Sequence, residues 1–282
     1  MRFGFSTCVA LLAFLPLLAS AKTIPTAVTA SKAFLSKSRV LTPENRPSLD
    51  ETTSFKDATS TKLPSRGGAC SDADSTVFFK VAASAAFETA ALLTVFYAGK
   101  EVAENTSIGE IFGLPISYWA SILFVVFGSS FLGSFVDGGM SVATQQALDP
   151  NVVPGDSNWY ANLKKPSWNP PGFVFPIMWL LVSKPTQAMA LSKLFKASEA
   201  IPWDVLALYC GHLSLGDAWN KVFFGYQCTG KGAAVITVFF AALLSSAYLF
   251  FGVDQEAGKF MLPTCGWVFI ATCLNWNIYL NN

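Results

Sequence analysis

From Ser117 onward the chain is dominated by long apolar runs separated by polar breaks. The runs are Tyr118–Val136, Gly172–Leu194, Trp203–Phe224, Ala233–Val253 and Phe260–Leu280. Each is close to the ~20 residues a helix needs to cross a bilayer, with tilt absorbing any excess. Strands of a membrane barrel would alternate apolar and polar positions over about ten residues, and these runs do not. In lipid, the remaining way to satisfy every backbone amide within one segment is a helix. The pattern therefore predicts an all-α membrane protein, a five-helix transmembrane bundle over residues 117–282 whose short connections make neighbours antiparallel.

A further run, VFFKVAASAAFETAALLTVFY (77–97), sits in the segment 76–98 and is a candidate extra N-terminal helix. It carries Lys80 and Glu88, and its alanines resemble a packing face. It reads as a spanning helix, with an amphipathic helix lying in the interface as the alternative. Orientation is not legible: Lys164 and Lys165 precede the second run, while Lys193 and Lys196 follow it, which defeats the positive-inside rule.

Upstream, MRFGFSTCVALLAFLPLLASA (1–21) has a basic residue, a short apolar core and an A-x-A-type end, the layout of a secretory signal peptide. Residues 22–75 are rich in Ser, Thr and Lys, with no acidic residue before Glu44. They read as a disordered linker or as a transit-peptide-like segment, the latter implying delivery through the secretory route to a complex plastid envelope.

Composition agrees with the membrane reading. Of 282 residues, 52% are hydrophobic and 13% charged, against about 25% charged in soluble domains. A net charge of +1 and the lack of a basic stripe argue against nucleic acid as a partner. The six cysteines (Cys8, Cys70, Cys210, Cys228, Cys265, Cys273) form no CxxC pair, and the single histidine is His212. These spacings predict neither a zinc site nor a disulfide framework.

The chemistry concentrates in WYANLKKPSWNPPGFVFPIMW (159–179). Tryptophan and lysine together suit a water–lipid boundary. Asn169 stands where an N-cap is expected and Pro170–Pro171 where a first helical turn is. Pro176 should remove the bond to the Gly172 carbonyl and kink the helix. Phe175 and Trp179, four apart, share a face.

This stretch resembles the signature WYxxLxKPxWxPPxxxFxxxW of the TspO/MBR family (tryptophan-rich sensory protein, translocator protein, peripheral-type benzodiazepine receptor). It is filled here by Trp159, Tyr160, Leu163, Lys165, Pro166, Trp168, Pro170, Pro171, Phe175 and Trp179. LALYCGHLSLGDAWNKVFFG and LPTCGWVFIATCLNWNIYLNN are similar to two later family motifs, so the resemblance covers about Tyr118 to Asn282. It implies five transmembrane helices around a pocket that binds porphyrins, haem precursors or sterol- and isoprenoid-like lipids. It needs no resident cofactor; porphyrin or haem enters as ligand. By position the ligand-binding residues are Trp159, Phe175, Trp179, Trp219, Trp267 and Asn275, and a homodimer among membrane lipids is implied. Trp168, Trp119 and Trp203 lie at span ends and read as interface anchors. Trp267, Ala271 and Leu274 form one helical stripe that reads as packing unless the family match assigns Trp267 to the pocket.

Several positions depart from the family pattern. Lys184 and Pro185 fall inside the second run, Gly216 and Asp217 follow the leucine where asparagine is expected, His212 replaces a glutamine, and Thr264 a tyrosine. Charges within spans are costly, on the order of 3 kcal/mol each, and usually pair. Asp217 and Lys221, four apart, read as a mutual ion pair, with Lys184–Asp217 as the alternative and a porphyrin propionate as the ligand reading for Lys184 or Lys221. His212 reads as a satisfied helix residue before a haem ligand. A sterol-type L-x-Y-x-K/R pattern beginning at Leu274 and Tyr279 ends without its basic residue. No paired carboxylates or activated nucleophile appear, so a catalytic role is not predicted. A porphyrin-degrading enzyme and a non-catalytic assembly partner stand as alternatives to ligand binding.

Overall fold

Helix α1 (Thr76–Asn105) buries Val77, Val81, Ala85, Glu88, Leu92, Phe96 and Gly99. That spacing of threes and fours is one face of a helix, and the face packs against α2 (Ile116–Val136) and α6 (Trp203–Asn220). Close approach to α2 depends on Gly99, where an added Cβ would stand 2.1 Å from Ser121 Oγ. The Ser121 hydroxyl is shared between the carbonyls of Val95 (3.2 Å) and Ser117 (2.9 Å), so it spans the helix pair. The computed structural model describes residues 76–106, 109–136, 159–198 and 200–282. The signal-like segment 1–21 and the whole of 22–75 lie outside the described residues.

Between α1 and α2 a two-stranded hairpin pairs β1 (Glu110–Ile111) with β2 (Leu114–Pro115). Its two turn residues, Phe112 (φ 53°) and Gly113 (φ 68°), both have positive φ, the geometry that lets a two-residue turn match strand twist. Phe112 is an unfavourable residue for that conformation.

After the short α3 (Trp159–Asn162), a continuous helical rod is built from α4 (Val174–Pro176), the π-helical segment π1 (Ile177–Ser183) and α5 (Lys184–Ala197). Helix α6 likewise runs into π2 (Lys221–Gly225). Helices α7 (Thr229–Val253) and α8 (Gln255–Asn281) are joined by Asp254, whose carboxylate accepts from the Ala257 N–H at 2.7 Å as an N-cap. Helix α8 packs on α7 and α5, and α6 on α7. Helices α1, α7 and α8 are each long and apolar enough to cross a membrane. The result is the all-α membrane bundle of the hydrophobic pattern, with α1 as the additional helix.

The second rod starts later than the sequence suggested. Asn169 is not an N-cap and Pro170–Pro171 are not a first turn, because the helix begins at Val174 after Phe173. Each residue preceding a proline is pushed toward extended backbone, and here both Asn169 and Pro170 precede one. Asn169 instead donates its side-chain N–H to the Pro170 carbonyl at 3.1 Å. The extra helix also runs past its expected end at 98, to Asn105.

Candidate functional site

The prolines shape the helix that carries the site. Pro176 has no N–H for the Gly172 carbonyl, and the Phe175 N–H takes that acceptor at 3.3 Å. Pro185 would press on a carbonyl four residues back in a regular α-helix. Between the two prolines the chain widens into π1, whose last bond runs from the Lys184 N–H to the Trp179 carbonyl. A matching bond joins the Tyr226 N–H to the Lys221 carbonyl (2.8 Å) at the end of π2. Irregular turns thus lie beside Trp179 and just after Trp219, where π-turns commonly mark functional positions.

The rings projected from these turns form one connected cluster. Trp267 meets Phe175 at 5.4 Å between ring centroids and Trp179 at 6.1 Å, both edge to face. Trp179 lies 6.4 Å from Trp219 with its plane tilted by 40°. Trp219 stacks on Phe223 at 6.0 Å, and Phe223 meets Trp159 at 5.4 Å. Asn275 accepts from Trp219 Nε1 at 3.1 Å while donating to the Ala271 carbonyl at 2.9 Å. The six residues assigned by resemblance are therefore brought together, through Phe223, which sequence reasoning did not single out. Trp219, Trp267 and Asn275 are buried, Trp159 and Trp179 partly so. Trp267 Nε1 is buried with no hydrogen-bond partner, a donor left over for an acceptor.

The short segment beneath the cluster is held by backbone satisfaction. Lys165 Nζ donates to the carbonyls of Tyr160, Ala161 (3.2 Å) and Leu163 (3.3 Å), serving the orphan acceptors at the end of α3. It also stands 4.5 Å from the Tyr160 ring centroid. Burial pushes the Tyr160 phenol up to about 12. The Lys164 backbone and the Asn282 side chain exchange two bonds (2.9 and 3.1 Å), fastening this segment to the chain end. Trp168, at 48% exposure, is outside the cluster, and Trp119 donates to the Ile111 carbonyl at 2.8 Å.

The intramembrane charges do not join the aromatic group. Lys184 Nζ turns to α2, donating to the Val126 carbonyl and to Ser129 Oγ (3.4 Å). Asp217 accepts from Ser130 Oγ at 3.0 Å. Among the described residues the salt bridges are Lys100 with Glu101 and Glu104, and Lys259 with Glu256, so neither Asp217–Lys221 nor Lys184–Asp217 forms one. Lys221 lies 5.8 Å from the Tyr226 ring centroid. The i, i+4 spacing that suggested a pair assumes a regular helix, and Lys221 begins the π-turn.

A buried polar chain runs across the bundle away from the cluster. Tyr209 Oη donates to Gln187 Oε1 at 2.9 Å, and Gln187 Nε2 donates to Thr264 Oγ1 at 3.3 Å, tying α5, α6 and α8. Sequence reasoning missed Gln187, although a lone amide in an apolar run was the available signal. His212 is 1% exposed, 4.8 Å from Tyr209 and stacked 6.2 Å from Phe239, with neither ring nitrogen hydrogen-bonded. It is thus a helix residue whose ring packs among aromatic neighbours.

The cysteines correct a second expectation. Cys210 and Cys265 are free thiols, but Cys228, in the turn before α7, is disulfide-bonded. Local spacing cannot report a bond between cysteines far apart in sequence.

Comparison with known proteins bears on the same residues. The TspO/MBR family model matches residues 121–280. The chain is 35% identical over 119 residues to the tryptophan-rich sensory protein of Cereibacter sphaeroides, covering 42% of this chain and 72% of that one. It is 30% identical to protein CrtK of Rhodobacter capsulatus (44% and 78% covered) and 30% identical to the human translocator protein (44% and 75%).

Proposed function

Because the chain belongs to the TspO/MBR family, we propose that its aromatic cluster binds a flat, largely apolar molecule, a tetrapyrrole or a sterol- or isoprenoid-like lipid, for transport, scavenging or signalling. The observation that carries this is the continuity of Phe175, Trp179, Trp267, Trp219, Phe223 and Trp159, drawn from four separate stretches of chain. Packing alone is served by aliphatic side chains; a run of indoles supplies broad faces for a conjugated ring system. A macrocycle held between two rings at contact distance needs those rings about 7 Å apart. Trp179 and Trp219 stand at 6.4 Å, so a small opening plus rotation to parallel admits one. The π-turns beside them supply backbone that can take up such a shift. Trp267 Nε1 offers a donor to a ligand acceptor.

Tetrapyrrole is the first class to test. Protoporphyrin is titrated into the purified, detergent-solubilised protein while tryptophan fluorescence is followed, alongside Trp179→Ala, Trp267→Ala and Trp168→Phe. Saturable quenching that weakens at least tenfold in the first two variants and is unchanged in the third supports the reading. Equal affinity in all four proteins overturns it. Product analysis of the same samples after illumination separates binding from degradation. Exposed apolar side chains such as Phe79, Leu181 and Tyr248 fit a lipid-facing surface. The signal-like 1–21 and the basic stretch without acids that runs from it to Glu44 support entry into the secretory route, with plastid delivery as the onward step and homodimerisation as the quaternary form to examine.

A further inference from the structure

The additional helix α1 carries a carboxyl group into the middle of the bundle. Glu88 is 3% exposed and belongs to the stripe that α1 packs on α2 and α6. Helices α1 and α2, joined by the hairpin, run antiparallel: Gly99 lies against Ser117 and Ser121, and the Val95 carbonyl accepts from Ser121. About three turns toward the start of α1, that register brings Glu88 level with Ser129 and Ser130. Two further charged residues reach the same pair of serines. Lys184, from α5, donates to Ser129 Oγ at 3.4 Å, and Asp217, from α6, accepts from Ser130 Oγ at 3.0 Å. Thr89, next to Glu88, donates to Ser214 Oγ at 3.2 Å, one turn before Asp217. Lys184 is within electrostatic reach of both Glu88 and Asp217, and Asp217 Oδ2 is buried with no hydrogen-bond partner. From α6, Cys210 lies within reach of Glu88 and His212 within reach of Lys184. Helix α2 adds hydroxyls and a carbonyl but no charged side chain.

Charge balance decides what this group holds. One ammonium against two carboxylates leaves one negative charge in excess, and a single added proton cancels it. A charge inside the membrane is costly unless it is paired, and two carboxylates sharing one site resist ionising together. We propose that Glu88, Lys184 and Asp217 form a proton-binding site within the membrane, separate from the aromatic cluster, whose two carboxyl groups share one exchangeable proton. The proton comes from water and returns to it. An O–H bond forms on a carboxylate oxygen when it arrives and breaks when it leaves, with no electron transferred. The proton belongs to the pair of carboxyl groups rather than to one residue. His212 is the competing carrier, but a cation on its ring would stand within reach of Lys184, like charge against like, with neither ring nitrogen hydrogen-bonded. Because Glu88 arrives on α1, outside the residues 121–280 that match the family model, the site is built by the extra helix of this chain. It is independent of which ligand the aromatic cluster binds.

The full chain is reconstituted into phosphatidylcholine vesicles and its infrared spectrum recorded at about pH 7, where exposed carboxyl groups are ionised. The readout is the C=O stretch of a protonated carboxylic acid, identified by its shift in D2O, with the Glu88→Gln/Asp217→Asn double variant as the blank. The expected wild-type band corresponds to one carboxylic acid. It should vanish in Glu88→Gln and in Asp217→Asn, because the remaining carboxylate then balances Lys184. It should grow about twofold in Lys184→Met, where both carboxyl groups must be neutral. A wild type without the band overturns the proposal, since the proton is then on His212 or absent. Equal bands in wild type and Lys184→Met refute the charge balance, and a single amide variant that keeps the wild-type amplitude moves the proton off this pair. The amide substitutions preserve side-chain shape, and circular dichroism matching wild type qualifies each variant. If Lys184→Met does not fold, the two amide variants still decide the outcome.

Discussion

Replacing Tyr209 by phenylalanine isolates the polar chain that spans the bundle core. The ring remains, with its contacts to His212 and to Phe250 at 5.6 Å. What goes is the hydroxyl that donates to Gln187 Oε1 at 2.9 Å. Gln187 is 3% exposed, so the stranded carbonyl oxygen has no water to turn to. A net hydrogen bond contributes about 1 kcal/mol, and a buried acceptor left alone costs about 1–3 kcal/mol. Polar pairs inside membranes measured by double-mutant cycles average nearer 0.6 and reach about 1.7 kcal/mol. The expected loss for Tyr209→Phe is therefore about 1–2 kcal/mol, a fall of a few degrees in unfolding temperature for a chain of this size. Gln187→Leu removes both bonds of the chain, and the double variant should lose less than the two single losses combined, by about 0.6–1.7 kcal/mol. The assay is reversible unfolding in mixed micelles, followed by tryptophan fluorescence, on wild type, both single variants and the double. Strict additivity, or a neutral Tyr209→Phe, would refute the claim that this bond joins α6 to α5.

The Tyr160 phenol titrates near 12 when folded and near 10 when unfolded, so the folded form holds its proton longer. Stability should be intact below pH 10 and fall by up to about 3 kcal/mol between pH 10 and 12, and Tyr160→Phe should flatten that decline in a pH series of melting curves. Gly99→Ala places a methyl on Ser121 Oγ, 2.1 Å away, and should destabilise the α1–α2 contact by about 1–3 kcal/mol; Gly266→Ala, with no neighbour within 4 Å, should be nearly neutral in the same assay. Ser130→Ala takes away the donor 3.0 Å from Asp217 and should lower stability by about 1 kcal/mol, whereas an unchanged melting curve would remove that contact from the account.

How much was legible beforehand follows the physics of each signal. Span positions were readable because lipid enforces runs of about 20 apolar residues, and the runs at 203–224 and 233–253 fall within a few residues of the helices observed. The start of the second rod was misread because Pro170 and Pro171 satisfy a first-turn rule individually but, in tandem after Asn169, extend the chain before it can coil. The aromatic site was legible in outline because long mixed motifs survive in one sequence. Phe223 escaped notice because its role is spatial, bridging Trp219 and Trp159 from a π-turn that no sequence period announces. The Asp217–Lys221 pair failed for the same reason, since a π-turn rotates the fourth residue off the expected face. Gln187 and Thr264 could each be seen as polar intrusions, yet only the fold shows that they meet.

The central claim is that a flat ligand sits among the indoles between the α4–π1–α5 rod, α6 and α8. A protoporphyrin carrying a photoactivatable diazirine, bound at sub-saturating concentration and cross-linked in detergent, tests it directly by mapping adducts in peptides. The account predicts adducts at or beside Phe175, Trp179, Trp219 and Trp267, suppressed by excess unlabelled protoporphyrin. Competable adducts confined to the lipid-facing sides of the helices, or to Trp168 and Trp203, would contradict it.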